Sequence, residues 1–283
     1  MNDRISKCIS CDSINLKYYA ENQTLKLPIY ICQDCQLHTI GTSQKQLESI
    51  LENFYEEEFW DEQRDYGLVD SHTDAYSIGR KRLFTSQFQY IQKFLKKDFN
   101  ILEIGSGHGE TLIEFEKLNF KITGIEPDLK NVTHLKKILR NSKVIQSNIE
   151  DFNIDEKFDL IWMSHVFEHL PDPILFLENI QKNMKPESIL FIEVPSVTKK
   201  NDYRTFTIVP HAYNYSGNSL QNLLQKTGYK IISHDYFGPP TKVNGLVNKI
   251  HKSLFKKNFY PFYPKIRLNS ETGEDMRFLV KIK

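Results

Sequence analysis

Apolar and polar positions recur with two different periods along most of this chain. From about residue 81, short β-type apolar runs alternate with segments whose apolar positions recur at helical spacing. Alternating strands and helices are typical of a largely parallel sheet that helices cover on both faces. The pattern predicts seven strands, which are Asn100–Ile104, Lys121–Glu126, Lys143–Asn148, Phe158–Ser164, Ser188–Val194, Lys230–Phe237 and Met276–Ile282.

Amphipathic segments between these runs predict the covering helices. Lys185-Pro186 and Thr227-Gly228 are stop signals for two of them. The last two strands should pair antiparallel across residues 238–275, a connection long enough to hold its own helix. The expected fold is α/β, a Rossmann-like, seven-stranded, mostly parallel sheet with an antiparallel last strand. Its helices are Arg80–Leu95, Glu110–Leu118, Leu129–Leu139, Asp172–Met184 and Ser219–Thr227.

The first 80 residues do not follow this alternation. Leu16–Tyr19 and Ile29–Ile31 are short β-type runs that predict a hairpin, and residues 47–60 predict a helix with an acidic, solvated face. We therefore expect three parts along the chain. They are a small module at 1–43, a helical connector or lid at 44–80, and a sheet-forming domain at 81–283 with a basic insertion at 238–275.

Composition and charge exclude several classes of protein. The chain has 283 residues, 40% of them hydrophobic, and a formal net charge of +1. This length allows one α/β domain and a small appendage, and the near-neutral charge gives no general attraction to polyanions. The N-terminus lacks the apolar region of a signal peptide, and no run of about 18 apolar residues occurs. We expect a soluble, cytoplasmic protein.

All four cysteines of the chain lie within its first 35 residues. They form two C-x2-C pairs separated by twenty residues, and a reducing cytosol disfavours disulfides. Each pair can aim two thiolates at one point, so that two pairs complete a tetrahedron around Zn²⁺ with no open position. A structural zinc would replace the core that so short a module cannot build. The sequence predicts a zinc-ribbon-like module with the ligands Cys8, Cys11, Cys32 and Cys35.

A glycine-rich turn follows the first strand of the sheet-forming domain. The run ILEIGSGHG ends a strand, turns on Gly105, Gly107 and Gly109 and opens a helix. Glycines let the backbone turn sharply and let a ligand approach it closely. The same pattern occurs in dinucleotide-dependent dehydrogenases. Glu103 argues against that alternative, because those enzymes usually have a small or apolar residue there.

Two later strand ends complete a candidate nucleoside site. Glu126 ends the second strand seventeen residues after Gly109, where a carboxylate can accept hydrogen bonds from both ribose hydroxyls. Asn148 and Ile149 close the third strand, where an amide and an apolar side chain can hold an adenine ring. The alternative is that Glu103 is a paired core carboxylate and that Glu126 caps a helix beside Pro127.

The order of these motifs resembles that of the class I S-adenosylmethionine-dependent methyltransferases. The matching segments cover roughly residues 85–237 and are LEIGSGHG, GIEPD, IEDF, FDLIWMSHVFEHLPDP, KPESILFIEVP and PHAYNYSGNSLQNLLQKTGY. The resemblance implies S-adenosylmethionine as cofactor. Asn148 departs from the Asp that the family often has. The implied cofactor-binding residues are Glu103, Gly105, Ser106, Gly107 and Gly109 for the methionine end, Glu126 and Pro127 near the ribose, Asn148 and Ile149 for the adenine, and Ser164.

Methyl transfer to a hydroxyl or carbon acid requires a general base, and histidine is the first candidate. His165 follows the fourth strand at the sheet edge where ligands bind in open α/β folds. Glu168 and His169 share its H-x-x-E-H run, and His211 follows the fifth strand by a loop, with Tyr213 nearby. We predict His165, His211 and His169 as catalytic and Glu168 and Tyr213 as substrate contacts. The alternative is that each histidine is a structural, hydrogen-bonded residue.

The N-terminal cysteines extend the resemblance to sugar methyltransferases that carry a zinc module. In that family a Glu-His pair precedes a Tyr/Phe-Ser segment, whereas this chain has Pro210-His211. The missing carboxylate favours O- or N-methylation over C-methylation. The predicted function is methylation of a nucleotide-activated or lipid-linked sugar in glycan or secondary-metabolite biosynthesis. An RNA base methyltransferase is the alternative, although the few Lys and Arg of the module are scattered.

Two further segments are candidate contact surfaces. Residues 65–82 resemble the family's lid, and in them Tyr66, Tyr76 and Arg80 are predicted to meet the substrate, with Arg80 facing a phosphate. Between residues 242 and 283 there are ten Lys or Arg against three Asp or Glu. The aromatic residues interleaved in 242–267 suit peripheral contact with an anionic membrane, or RNA, while a basic helix packed on the domain is the simpler alternative.

Overall fold

The computed structural model describes most of the chain. The described residues are 5–53, 74–150, 152–197, 207, 211–238, 250, 266–269 and 272–283, without the side chains of 52–53, 74–82 and 266. Tyr66 and the acidic run 56–58 therefore lie outside the described residues, as does nearly all of the basic stretch 242–267. No helix among the described residues is long and apolar enough to cross a membrane.

A mixed eight-stranded sheet forms the centre of the molecule, in the order β11-β10-β12-β8-β7-β4-β5-β6. Strands β4 to β8 pair in parallel, and β12 runs antiparallel between β8 and β10. The expected Rossmann-like α/β sheet with an antiparallel last strand is confirmed. The strands are β4 (Asn100–Ile104), β5 (Lys121–Glu126), β6 (Lys143–Gln146), β7 (Phe158–Ser164), β8 (Met184–Pro195), β10 (Tyr229–Gly238), β11 (Ile266–Leu268) and β12 (Asp275–Ile282).

The prediction of seven strands is wrong by one edge strand. The three residues of β11 pair antiparallel with the end of β10, and a run this short carries no periodic signal. Two strand boundaries also differ by more than one residue. β6 ends at Gln146 instead of Asn148, and β8 begins at Met184, where a helix was expected to end.

Six helices are described, and several begin at side-chain caps. Asp128 accepts a hydrogen bond from the Asn131 amide at 2.6 Å, and Asp172 caps the next helix in the same way. Ser216 and Ser219 form a reciprocal capping box. The helices are α1 (Gln44–Asn53), α2 (Asp74–Ile91), α3 (Glu110–Lys117), α4 (Leu129–Ile138), α5 (Pro173–Ile180) and α6 (Gly217–Lys226), with 3₁₀ turns at Gln92–Phe94, Phe167–His169 and Gln181–Asn183.

The two faces of the sheet carry separate cores. Along β7, Leu160 and Trp162 belong to one core, and Ile161 and Met163 belong to the other. This split follows from the period of two in a strand. Trp162 is fully buried and packs against Phe191 with ring centroids 4.2 Å apart. Both faces are therefore apolar and covered, as parallel strands require.

The N-terminal strands form a second sheet that includes residues from far along the chain. Its order is β1-β2-β3-β9, with β1 at Leu16–Asn22, β2 at Leu27–Cys32, β3 at His38–Ile40 and β9 at Tyr213–Asn214. The β9 strand pairs antiparallel with β3, which follows the second cysteine pair. Ser216 Oγ also donates a hydrogen bond to the Cys35 carbonyl at 2.6 Å. The cysteine-bearing hairpin is thus joined by backbone pairing to the segment around His211.

Candidate active site

The glycine loop, Gly105–Gly109, connects β4 to α3 and closes onto the end of β5. The amides of Gly105 and Ser106 both donate to the Ile125 carbonyl, at 2.9 and 3.0 Å. Gly105, Gly107 and Gly109 all have positive φ angles, of +72°, +50° and +79°. A Cβ on Gly109 would overlap the Leu135 side chain, whereas a Cβ on Gly107 would meet no atom within 4 Å. The loop is therefore packed from below and open at Gly107, as a ligand cradle must be.

Glu126 joins this loop to the following helix. Its carboxylate accepts hydrogen bonds from the Gly107 amide at 2.7 Å and the Asp128 amide at 3.1 Å. Burial raises the pKa of Glu126, although these amides and Asn131 oppose that rise. The predicted ribose carboxylate thus lies directly beside the open position of the glycine loop. Oε1 also accepts a hydrogen bond from Asn131 Nδ2 at 3.4 Å, so Oε2 is the oxygen that keeps a lone pair for a further donor.

Glu103 lies in β4 just before the glycine loop and is 4% exposed. Its Oε2 accepts no hydrogen bond within the described part of the chain. Burial raises the pKa of Glu103 well above the ordinary carboxyl value, and the neighbouring Glu110 and Glu126 raise it further. A buried oxygen without a donor is costly unless a ligand supplies one. The amino group of a methionine moiety is a donor that would satisfy it.

The remaining predicted cofactor residues lie around this loop at the same edge of the sheet. Pro127 is half-buried between β5 and α4. Asn148 is exposed two residues beyond β6, outside the strand in which it was predicted, and Ile149 packs partly against the core. Ser164 ends β7, and its Oγ accepts a hydrogen bond from Gln87 Nε2 at 2.8 Å.

His165 follows β7 directly and has a positive φ angle of +55°. A non-glycine residue in this region costs free energy and often marks a functional site. Its Nδ1 lies 3.6 Å from Glu168 Oε1, and its Nε2 lies 3.4 Å from Glu193 Oε1 and 3.8 Å from Asp275 Oδ1. Burial alone would lower the pKa of His165, but Glu168 and Glu193 outweigh it and raise that pKa. The side chain remains 30% exposed, so it can still be reached by a ligand.

Glu168, His169 and His211 complete what we call the histidine cluster with His165. The rings of His169 and His211 meet edge to face with centroids 4.7 Å apart. Burial lowers the pKa of His211, whose Nδ1 lies 2.9 Å from Asn214 Oδ1. Burial alone would raise the pKa of Glu168, but the neighbouring imidazoles, His165 first among them, lower it. The structure therefore brings all three predicted catalytic histidines to one place.

Four residues around His165 were missed by sequence analysis, and one of them is Asp275, 3.8 Å from His165 Nε2. Glu193 is fully buried in β8 and forms an ion pair with the fully buried Arg277 of β12. Gln87 of α2 donates to Glu193 Oε1 at 2.8 Å. A signal was present, because Glu193 and Arg277 interrupt the apolar runs ILFIEVP and DMRFLV. Buried charges in such runs are paired or functional.

The predicted substrate contacts have different outcomes. The Tyr213 hydroxyl is buried and donates to the Pro171 carbonyl at 3.1 Å, so it already has a partner within the fold. Tyr76 and Arg80 lie in α2, but their side chains are not among those described, and Tyr66 is outside the described residues. Glu168 alone of this set is shown beside the predicted catalytic histidines.

The four cysteines converge at the end of β2, whose last residue is Cys32. Cys8 Sγ lies 3.5 Å from Cys35 Sγ, and Cys11 Sγ lies 3.6 Å from Cys32 Sγ. A disulfide requires about 2.05 Å, whereas a tetrahedral site with Zn–S bonds of about 2.3 Å requires about 3.8 Å between sulfurs. All four sulfur atoms lie within 4.8 Å of one another, and the Cys35 thiol lowers the pKa of Cys8 to about 5. This group fits a zinc ion.

Comparison with protein families yields one match over more than half of the chain. A family model described as "Methyltransferase domain" matches residues 74–234. Among curated proteins, the ubiquinone biosynthesis O-methyltransferase of Hydrogenovibrio crunogenus is 24% identical over 78% of this chain and 86% of its own length. The enzyme of the same name from Rickettsia bellii is 25% identical over 50% of this chain and 59% of its own length. For two others the match spans 36% and 54% of the relative.

Solved structures show the same fold at low identity. A SAM-dependent methyltransferase from Archaeoglobus fulgidus superposes with a TM-score of 0.55 and 17% identity, covering 75% of this chain and all of that one. A SAM-dependent methyltransferase from Thermotoga maritima, described as a possible histamine N-methyltransferase, gives 0.52 and 20%, covering 76% and 96%. These likenesses support the α/β architecture and carry no information about the acceptor.

Proposed function

Since this chain belongs to the methyltransferase-domain family and is a SAM-dependent methyltransferase, we propose that it transfers the methyl group to a hydroxyl of a small molecule. The observation that carries the proposal is the position of His165. It lies at the same edge of the sheet as the glycine loop, partly exposed and surrounded by Glu168, Glu193 and Asp275. Carboxylates around an imidazole stabilise the imidazolium that forms when a base takes a proton.

The cofactor site supports this function through its own residues. Gly107 offers an open backbone position, Glu126 a carboxylate beside it, and Glu103 a buried oxygen without a donor. When bound, S-adenosylmethionine supplies a methyl group on a sulfonium, which is a good leaving group. The protein's remaining tasks are to align the acceptor and to take its proton.

Methyl transfer to a hydroxyl requires one group on the protein that accepts the hydroxyl proton. Bound S-adenosylmethionine, held by Glu103, Glu126 and the glycine loop, would supply the methyl group for the acceptor oxygen and would keep the electron pair of its carbon–sulfur bond on sulfur. The hydroxyl proton moves to an imidazole nitrogen of His165. A pKa raised above the ordinary histidine value makes this residue a stronger base, and the adjacent carboxylates hold the proton afterwards.

The acceptor class we propose is the hydroxyl of a nucleotide-activated or lipid-linked sugar. The names of the curated relatives support O-methylation, and Pro210 in place of a glutamate disfavours proton abstraction from carbon. The N-terminal cysteine module, which resembles that of sugar methyltransferases, supports a sugar. Its backbone pairing with β9 joins it to the histidine cluster instead of to a distant RNA surface.

Transfer of radiolabelled methyl groups tests this proposal. Purified protein would be incubated with labelled S-adenosylmethionine and a panel of nucleotide sugars, catechols and transfer RNA. We expect label in an O-methyl sugar, and a loss of about 10²–10⁴-fold in kcat for His165→Ala with unchanged cofactor affinity. His134→Ala, on α4, is the matched control and should keep full activity. Labelled RNA, or full turnover by His165→Ala, would contradict the proposal.

A further inference from the structure

A second group of potential metal ligands lies away from the cysteines. Glu168, His169 and His211 each present one ligand atom, and these three atoms lie within 4.8 Å of one another. Glu168 and His169 come from the 3₁₀ turn after β7, and His211 comes from the segment before β9. Two imidazoles and one carboxylate are a ligand set that proteins use for zinc and for other first-row transition metals.

The carboxylate of Glu168 is in an environment that favours a cation. The residue is 1% exposed, and neither oxygen accepts a hydrogen bond of ordinary length from the described residues. His165 Nδ1 and His169 Nε2 lie 3.6 and 3.9 Å from Oε1. A buried carboxylate normally accepts several hydrogen bonds or binds a metal. The separations of 3.6 and 3.9 Å exceed a hydrogen-bond length, so the carboxylate of Glu168 faces imidazole nitrogens that could share an ion with it.

His211 has the second contact that metal-binding histidines usually have. Its Nδ1 lies 2.9 Å from Asn214 Oδ1, and an Nδ1–H that donates to this oxygen leaves the lone pair on Nε2. Such an outer hydrogen bond fixes the ring and its tautomer in most metal sites. Asn214 is itself fixed, because it pairs with His38 of β3. The ligand side of His211 is therefore oriented by the N-terminal sheet.

We propose that Glu168, His169 and His211 bind one divalent transition-metal ion on the acceptor side of the active site. Three protein ligands leave coordination positions open, in contrast to the four thiolates of the cysteine module. If the proposed function holds, an ion held by these residues would supply positive charge that lowers the pKa of the acceptor hydroxyl, while Glu193 and Asp275 would still face His165 as the base. Metal binding itself does not depend on that function.

Cobalt titration distinguishes this site from the cysteine site. Co²⁺ would be added to the purified full-length protein after its zinc content has been measured, without cofactor or acceptor. Thiolate ligands give intense sulfur-to-metal charge-transfer bands, whereas imidazole and carboxylate ligands give only weak visible bands. We expect one equivalent of Co²⁺ that shows the weak bands alone. Absence of this equivalent would overturn the proposal.

Matched variants assign the ligands. Glu168→Gln and His211→Ala should each weaken Co²⁺ binding by at least about tenfold, and Asn214→Ala should weaken it about 10–100-fold through loss of the outer hydrogen bond. His134→Ala on α4 is the control and should bind as the wild type does. His169→Ala serves as a second ligand variant if a buried substitution prevents folding, because its side chain is 21% exposed.

The two proposals fail separately. Undiminished Co²⁺ binding by properly folded Glu168→Gln and His169→Ala would overturn the metal site, whatever the activity of the enzyme. If the wild-type protein methylates no hydroxyl acceptor but still binds Co²⁺, the proposed function is overturned and the metal site is not. Methyl transfer at full rate in metal-free protein would limit the ion to a structural role and overturn its part in acceptor activation.

Discussion

The two halves of the candidate active site are built in different ways. The cofactor half uses residues that are close in sequence, from Glu103 through the glycine loop to Asn131, and its contacts are largely to backbone amides. The acceptor half is assembled from distant segments. It joins α2, β7, β8, β12 and the residues before β9, and its contacts are between buried side chains. Local spacing determines the first half, whereas sheet order determines the second.

This difference has an energetic consequence. Backbone cradles tolerate many side-chain changes, provided that the glycines remain. A buried ion pair tolerates few, because removal of one partner leaves a charge without compensation. We therefore expect substitutions in the acceptor half to reduce both catalysis and stability. In the cofactor half, a substitution can weaken cofactor binding with little loss of stability.

The largest effect should come from the buried pair of Arg277 and Glu193. Arg277→Ala should destabilise the protein by about 3–5 kcal/mol, because it leaves Glu193 charged and buried. Denaturant unfolding would measure this difference. Arg267→Ala is the control, because its guanidinium pairs with Asp235 but is 71% exposed, and it should cost about 1 kcal/mol or less. Equal costs for the two variants would show that burial of the pair between Arg277 and Glu193 does not determine its contribution to stability.

Two glycine substitutions in the cofactor half should have different effects, one mainly on the stability of the protein and the other mainly on its affinity for the cofactor. Gly109→Ala has both a positive φ and a clash with Leu135, and it should cost about 1–3 kcal/mol or more of stability. Gly107→Ala faces open space and should cost less, yet it should weaken cofactor binding about tenfold or more. Thermal melting and calorimetry measure the two effects. Tight cofactor binding by Gly107→Ala would show that the ligand does not approach there.

The smallest effect is a loss of unfolding free energy at acid pH, which arises in β10, the strand that pairs with β12 of the acceptor half. Burial lowers the pKa of His234, which stacks on Phe278, from 6.5 to about 4. Because the folded pKa is depressed, the contribution of a neutral His234 is present above pH 6.5 and is lost as the pH falls towards 4. Urea unfolding between pH 7 and 4 should show a steeper loss for wild type than for His234→Phe. Parallel curves would contradict this assignment.

Sequence analysis predicted which residues of the cofactor half lie beside one another in the fold. Glycine spacing and strand ends placed Gly105, Gly107 and Glu126 correctly beside one another, because each lies within 25 residues of the others. The antiparallel last strand was also expected, whereas β11 was missed because three residues carry no period. The bounds of β6 and β8 also differ from the predicted ones.

Sequence analysis predicted only some of the residues of the acceptor half. The three histidines were chosen for their chemistry, and the structure does bring them together. Glu193 and Arg277 were missed because their pairing across 84 residues depends on β12 lying next to β8. The pairing of the cysteine hairpin with β9 was missed for the same reason. No local pattern in Tyr213–Asn214 indicates that this segment pairs with a strand at Thr39.

The measurement that tests the account most directly is calorimetric titration of S-adenosylmethionine into wild-type protein and into Glu126→Ala. The account predicts one equivalent bound by the wild type, and affinity reduced about 10–100-fold in the variant, as loss of hydrogen bonds to a charged group requires. Glu187→Ala, on the surface of β8, should bind as the wild type does. Equal affinity in Glu126→Ala, or binding of a nicotinamide dinucleotide by the wild type instead, would contradict it.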